Sequence, residues 1–205
     1  MIYDYHVVFG LATIPLFVLG YGLYFRSIFR GETKPHLFTW LSYVFIDGTI
    51  FVAQLTSGGG VGSWVLGLAT LINAGIVVVS FWRGEKRIHS SDWLCLLGVF
   101  VGIGLWLITD GPLGAVVVLT IINTVALIPT FRKAYEKPLE ESVSIWSVDV
   151  FKFMLTVVAL EQRTLTTALF PVGIIVINAL LVAMILVRRR QLAKRGGGDT
   201  IAPNG

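Results

Sequence analysis

This chain is written in apolar runs of about twenty residues, and that run length constrains its fold more than any motif does. "HVVFGLATIPLFVLGYGLYF" (6–25), "VLGLATLINAGIVVVSFW" (65–82) and "TALFPVGIIVINALLVAMILV" (167–187) are three of them. At 1.5 Å of rise per residue, a helix of this length crosses a hydrocarbon layer of about 30 Å. A soluble core helix needs only one apolar stripe, whereas these runs are apolar on every side. Of the 205 residues, 55% are hydrophobic and 14% charged, while soluble domains carry charge on about a quarter of their residues. Inside lipid every backbone polar group must be satisfied within the protein, which leaves helices for runs this long. The period-two alternation of a membrane barrel is missing. The expected class is therefore an all-α integral membrane protein.

Seven spans are expected: 5–28 (Tyr5 to Ile28), 36–55 (His36 to Leu55), 62–82, 92–109, 112–131, 142–160 and 165–187. Polar or glycine-rich stretches separate them: "RGETKP", "TSGGGVG", "RGEKRIHSSD", "TDGP", "RKAYEKPLEE" and "EQRT". Residues 191–205, "QLAKRGGGDTIAPNG", read as a disordered tail. One side of the membrane receives Arg26, Arg30, Lys34, Arg83, Lys86, Arg87, Arg132, Lys133, Lys137 and the cluster Arg188, Arg189, Arg190, Lys194, Arg195. The other receives Arg163. Basic loops stay in the cytoplasm, so the expectation is a multi-pass cell-membrane protein with its N-terminus outside and its C-terminus, tail included, in the cytoplasm. On this reading the net charge of +4 reflects topology and contact with lipid headgroups, and needs no nucleic-acid partner. The start, "MIYDYHVV", lacks the basic region of a signal peptide, so the first span is read as its own insertion signal. Cys95 is the single cysteine, which rules out an intrachain disulfide.

An internal repeat lies under this pattern. Sliding 25–53 along 131–159 pairs Phe25 with Phe131, Arg26 with Arg132, Trp40 with Trp146, Val44 with Val150 and Phe45 with Phe151. With one residue of slippage, "INA" at 72–74 meets "INA" at 177–179. The matching stretches join spans one to two and five to six, and the matching Asn falls in spans three and seven. Two three-helix units in the same orientation need one inverting helix between them. The expected organisation is a first repeat over 1–88, a linker helix over 89–110 and a second repeat over 111–190. Parallel repeats with a site at their interface are a transporter plan.

This three-one-three topology, together with "IPTFRKAYEKPLEESVSIW" (128–146), resembles the SWEET sugar transporters and the wider PQ-loop superfamily. Pro129-Thr130 stands where that family has Pro-Gln, and Leu23-Tyr24 occupies the position in the first repeat. The resemblance implies transport by alternating access, with the family's paired asparagines falling on Asn73 and Asn178.

Polar residues inside the apolar spans mark the candidate site independently, because a charge at a helix centre costs roughly 2.5–3.5 kcal/mol. Asp47 lies roughly 16 Å along the second span at 1.5 Å per residue; Lys152, Asn73 and Asn178 fall near the same depth, with Asp149 one turn nearer the cytoplasm. Trp40, Tyr43, Asp47 and Gln54 share one helical face, as do Ser142, Trp146, Asp149, Phe153 and Thr156. Asn73 and Asn178 read as ligand groups or as bridges between helices. Trp40 and Trp146 read as interface anchors or as site lining. Asp149 and Lys152 read as a self-neutralising pair or as lining. Asp47 is the candidate for proton coupling. Pro15, Pro129 and Pro171 remove helix hydrogen bonds and are candidate kinks for gating. Gly98 and Gly102 have the small-xxx-small spacing of close helix packing, within one chain or between copies of a homo-oligomer.

Enzyme chemistry has no motif here. His6, His36 and His89 are scattered, and "TSGGGVG" (56–62) lacks the Lys-Ser/Thr of a phosphate loop, so it reads as a flexible turn. No metal or cofactor is expected. The leading expectation is a transporter of small neutral solutes such as sugars. The alternatives are a receptor or scaffold without transport, and a proton-coupled carrier of amino acids or other organic solutes that uses Asp47.

Overall fold

The computed structural model describes residues 4–31, 34–84, 90–109, 111–136, 138–140 and 143–196. Among them the elements are all helical. They are α1 (Tyr5–Phe29), α2 (Leu37–Thr56), α3 (Trp64–Arg83), α4 (Ser90–Ile108), α5 (Leu113–Ala126), α6 (Ile128–Glu136), α7 (Val143–Ala159) and α8 (Leu165–Gly196). Short 3-10 turns at Gly60–Ser63 and Pro138–Glu140 precede α3 and follow α6. Asp4 starts α1, its carboxylate accepting the His6 N–H at 3.0 Å.

Four stretches are long and apolar enough to cross a membrane: Tyr5–Arg26, Leu37–Thr56, Gly60–Arg83 and Leu165–Ala193. Leu96–Ile108 and Leu113–Ala126 are apolar but shorter. Large apolar side chains such as Val18, Leu71, Trp82, Leu94, Leu107 and Val176 stand on the outside. An exterior of that kind is compatible with a membrane protein.

The fifth expected span, 112–131, is two helices. Pro129 has no N–H to give the carbonyl of Val125, so the ladder stops. The Leu127 N–H turns to the Thr124 carbonyl at 3.2 Å, and the ladder resumes when the Phe131 N–H meets the Leu127 carbonyl at 3.0 Å. Pro129 therefore lies in the first turn of α6, where a missing donor is tolerated. At the other end of the chain α8 runs past the expected stop at 187. Residues 191–196, read from sequence as tail, are helical, and 197–205 lie outside the described residues.

The α2–α3 and α7–α8 hairpins are the most extensively packed pairs. The first helix rests on α3 and α7, the fifth on α8 and α2, and the fourth on α5 and α2. Their common core gathers Ile50 and Ala53 of α2, Leu66 of α3, Val99 of α4, Leu119 of α5, Phe153 of α7 and Phe170 of α8. Gly98 and Gly102 face α5: a Cβ at either would lie 3.0 Å from Ile122 or Leu119. That small-residue face is thus used within the chain.

Candidate functional site

One cluster of polar and aromatic side chains lies where α1, α2, α3 and α7 meet. Asp47 of α2 is buried, and the Asn73 amide of α3 donates to its Oδ2 at 2.9 Å. In α7 the buried Lys152 ammonium donates to Asp149 Oδ1 at 2.6 Å, one helical turn away. The same ammonium stands over the rings of Phe17 and Phe153, each 4.9 Å from the centroid, and 6.0 Å from that of Tyr21. Such faces attract cations through the ring quadrupole, most strongly where water is excluded. Asp47 lies within the electrostatic field of both Lys152 and Asp149, and Tyr21 within that of Asp47, Asp149 and Tyr43. One carboxylate, Asp149, thus pairs directly with the ammonium in an aromatic enclosure, and Asp47 is held by Asn73.

Trp40 adjoins this cluster toward the start of α2. Its indole N–H donates to the Tyr24 hydroxyl at 3.2 Å, and its ring meets Tyr21, Tyr24 and Tyr43. Trp146 lies elsewhere, against Ala134 of α6 and Leu181 and Ile185 of α8. Asn178 is buried in α8, and the hydrogen bonds and ring contacts of the cluster do not include it. Asn73 and Asn178 share one property: each has a buried side-chain oxygen, Oδ1, without a hydrogen-bond partner among the described residues. Buried acceptors of this kind are rare because each forfeits its hydration. Ser142 lies outside the described residues.

Phe17 and Tyr21 complete the enclosure and did not stand out from sequence. They had a legible signal, since Phe17, Tyr21 and Tyr24 follow one another at four and three residues on a single face of α1. Lys152 was legible as half of a pair with Asp149. Its reach to the rings of α1 depends on the packing of α1 against α7, which local spacing does not encode.

The prolines divide. Pro15 is exposed within α1, and Pro171 is buried within α8. Pro171 leaves the Thr167 carbonyl without its normal donor four residues on, and a lipid-like surrounding supplies none. The buried Gln54 side chain of α2 fills the gap, its Nε2 donating to the Thr167 carbonyl at 2.6 Å. A polar residue from one hairpin thereby completes the backbone of the other.

No protein-family model, no curated protein and no solved structure matches this chain.

Proposed function

We propose that this chain is a membrane transporter of small neutral solutes, sugars among them, working by alternating access. In this reading α5 and α6 form one broken span, giving seven. Residues 1–88 and 111–190 are parallel three-helix repeats of the SWEET and PQ-loop kind, and 89–110 holds the inverting helix. The orientation is N-terminus outside and C-terminus cytoplasmic in the cell membrane, following the basic loops.

The packing of the helices supports the repeat. The third helix of each triplet rests on the other two: α3 on α1 and α2, and α8 on α5 and α7. Across the triplets the exchange is reciprocal, first helix to second, with α1 on α7 and α5 on α2. That exchange is what a two-fold axis between the triplets produces.

The observation that carries the solute reading is that two of the three orphaned amide oxygens among the described residues, Asn73 Oδ1 and Asn178 Oδ1, occupy matching helices, the third being Gln54 Oε1. The two asparagine oxygens stand on the third helix of each triplet and suit hydroxyl donors, while the rings of Tyr21, Trp40 and Tyr43 suit the apolar faces of a pyranose. Uptake of a labelled sugar panel into proteoliposomes tests it. Wild-type uptake, lost in Asn73→Ala and Asn178→Ala proteins that insert normally, is expected. An inert wild type across sugar and amino-acid panels refutes transport and leaves the receptor or scaffold reading.

A second reading has its own observation: the buried Asp47 carboxylate has Asn73 as its hydrogen-bond partner, while the Lys152 ammonium is paired with the part-exposed Asp149. A buried carboxylate whose direct partner is a neutral amide has room for a positive charge, and a proton fits. Uptake abolished by an uncoupler and by Asp47→Asn supports coupling; uptake indifferent to both refutes it.

A further inference from the structure

The stretch "TSGGGVG" is no free turn. The Glu161 N–H donates to the Gly59 carbonyl at 3.2 Å and the Gln162 N–H to the Gly58 carbonyl at 3.1 Å, so the α2–α3 and α7–α8 loops join backbone to backbone. In return the Val61 N–H donates to Glu161 Oε1 at 3.2 Å. Just below, Gln54 reaches the Thr167 carbonyl at 2.6 Å. All four bonds run between the first triplet and the second.

The glycines make the joint possible. Gly58 and Gly60 have φ of 79° and 57°, a region that favours glycine. A Cβ at Gly62 would lie 2.6 Å from the Leu160 backbone nitrogen, so only hydrogen lets the two chains approach this closely. The N-terminal half of α1 joins the same contact, since a Cβ at Gly10 would lie 2.9 Å from Val61 Cγ1 and 3.9 Å from Ala159 Cβ.

Among the described residues, the arginine hydrogen bonds at the opposite end of the molecule run differently. Arg83 donates to the Phe29 carbonyl at 3.1 Å within the first triplet. Arg188 and Arg189 donate to the Tyr135 and Pro138 carbonyls at 3.2 and 3.0 Å within the second. Those bonds brace each triplet internally; the loop bonds clasp one triplet to the other.

We infer that the clasp between residues 58–62 and 159–162 is the closed gate of the transport cycle. This conformation is shut at the glycine-loop end, and solute reaches the Asp47–Asn73 cluster from the basic end. The inference rests on the transporter reading and deepens it by assigning the gate. Opening exposes the three loop pairs, where water takes over each partner, so the clasp is reversible. An apolar seal in lipid would lack that exchange.

A disulfide staple tests the gate in the full-length protein. In a Cys95→Ser background, Gly10→Cys with Ala159→Cys places two Cβ atoms about 3.9 Å apart, inside the roughly 3.5–4.5 Å window of a disulfide. Oxidation is expected to abolish sugar uptake and reduction to restore it in the same vesicles. Uptake equal in oxidised and reduced protein overturns the gate and leaves transport standing.

A second measurement needs no transport. With Tyr43→Cys added and the staple oxidised, a membrane-impermeant methanethiosulfonate is applied to right-side-out and to inverted vesicles. Labelling from the basic end alone is expected. Labelling from the glycine-loop end, or from neither end, overturns the gate. Sided labelling in a protein that takes up no solute in either redox state upholds the closed end and refutes the solute reading instead.

Discussion

At the scale of single residues, several polar groups in apolar surroundings stand beside a specific partner. Gln54 and Pro171 form one such dependency, because Gln54 donates to the carbonyl that Pro171 leaves bare. Replacing Gln54 with Leu strands the Thr167 carbonyl and should cost about 1–3 kcal/mol. Adding Pro171→Ala restores a backbone donor for that carbonyl, so the double variant should melt closer to wild type than Gln54→Leu alone. Thermal unfolding in detergent measures both, and a double variant worse than either single variant contradicts the pairing. Lys152 makes a second dependency. Lys152→Ala leaves Asp149 without its ion-pair partner and removes the cation that acts electrostatically on Asp47, an expected loss of about 1–3 kcal/mol. Asp149→Asn beside it should recover part of that loss. Equal melting of Lys152→Ala and wild type shows the ammonium to be neutralising neither carboxylate. The polar half of this cluster was legible in the sequence, since Asp47, Asn73, Asp149 and Lys152 are costly inside apolar runs and announce themselves. Of the aromatic half, Trp40 and Tyr43 were named, while Phe17 and Tyr21 carried only a spacing signal and gain their meaning from the neighbour helix.

At the scale of elements, the starts and stops follow local chemistry wherever the signal is a missing or an added hydrogen bond. Asp4 opens α1 and Pro129 opens α6. The break at Leu127 was hidden because an apolar run continues through it, and hydropathy does not register a lost donor. Pro129→Ala should fuse α5 and α6, and slow amide hydrogen exchange at position 129 and at Leu127 checks it; fast exchange there would mean that packing, not the proline, sets the break. The end of α8 was hidden for the converse reason. Residues 191–196 read as tail, yet they continue a helix whose Arg188 and Arg189, just before them, are held by the carbonyls of Tyr135 and Pro138. Between α4 and α5 the packing is tight at one glycine face. Gly98→Leu drives a side chain toward Ile122 Cδ1, only 3.0 Å from where its Cβ would stand. Such overpacking should cost about 1–3 kcal/mol. An unchanged melting temperature would show that Ile122 moves aside freely.

At the scale of the whole molecule, the charge pattern and the repeat make one prediction about sidedness. A thiol at Ser57 and a thiol at Gln191, each in a Cys95→Ser background, should react with an impermeant reagent from opposite faces of the vesicle, Ser57 from outside. Reaction of both from one face excludes the proposed orientation. The all-helical class was legible because run length alone dictates it. The contact of α1 with α7 was not, since nothing local says which helices from distant parts of the chain will meet. In the repeat proposed above, the two triplets also differ as machines. The first helix of the leading triplet is one continuous rod of 25 residues, while its counterpart is jointed at Leu127 into pieces of 14 and 9. A rod transmits a push from end to end, and a jointed arm absorbs it at the elbow. Any rocking of the triplets must then be lopsided, with the leading triplet turning as a stiff lever and the trailing one flexing near its basic end.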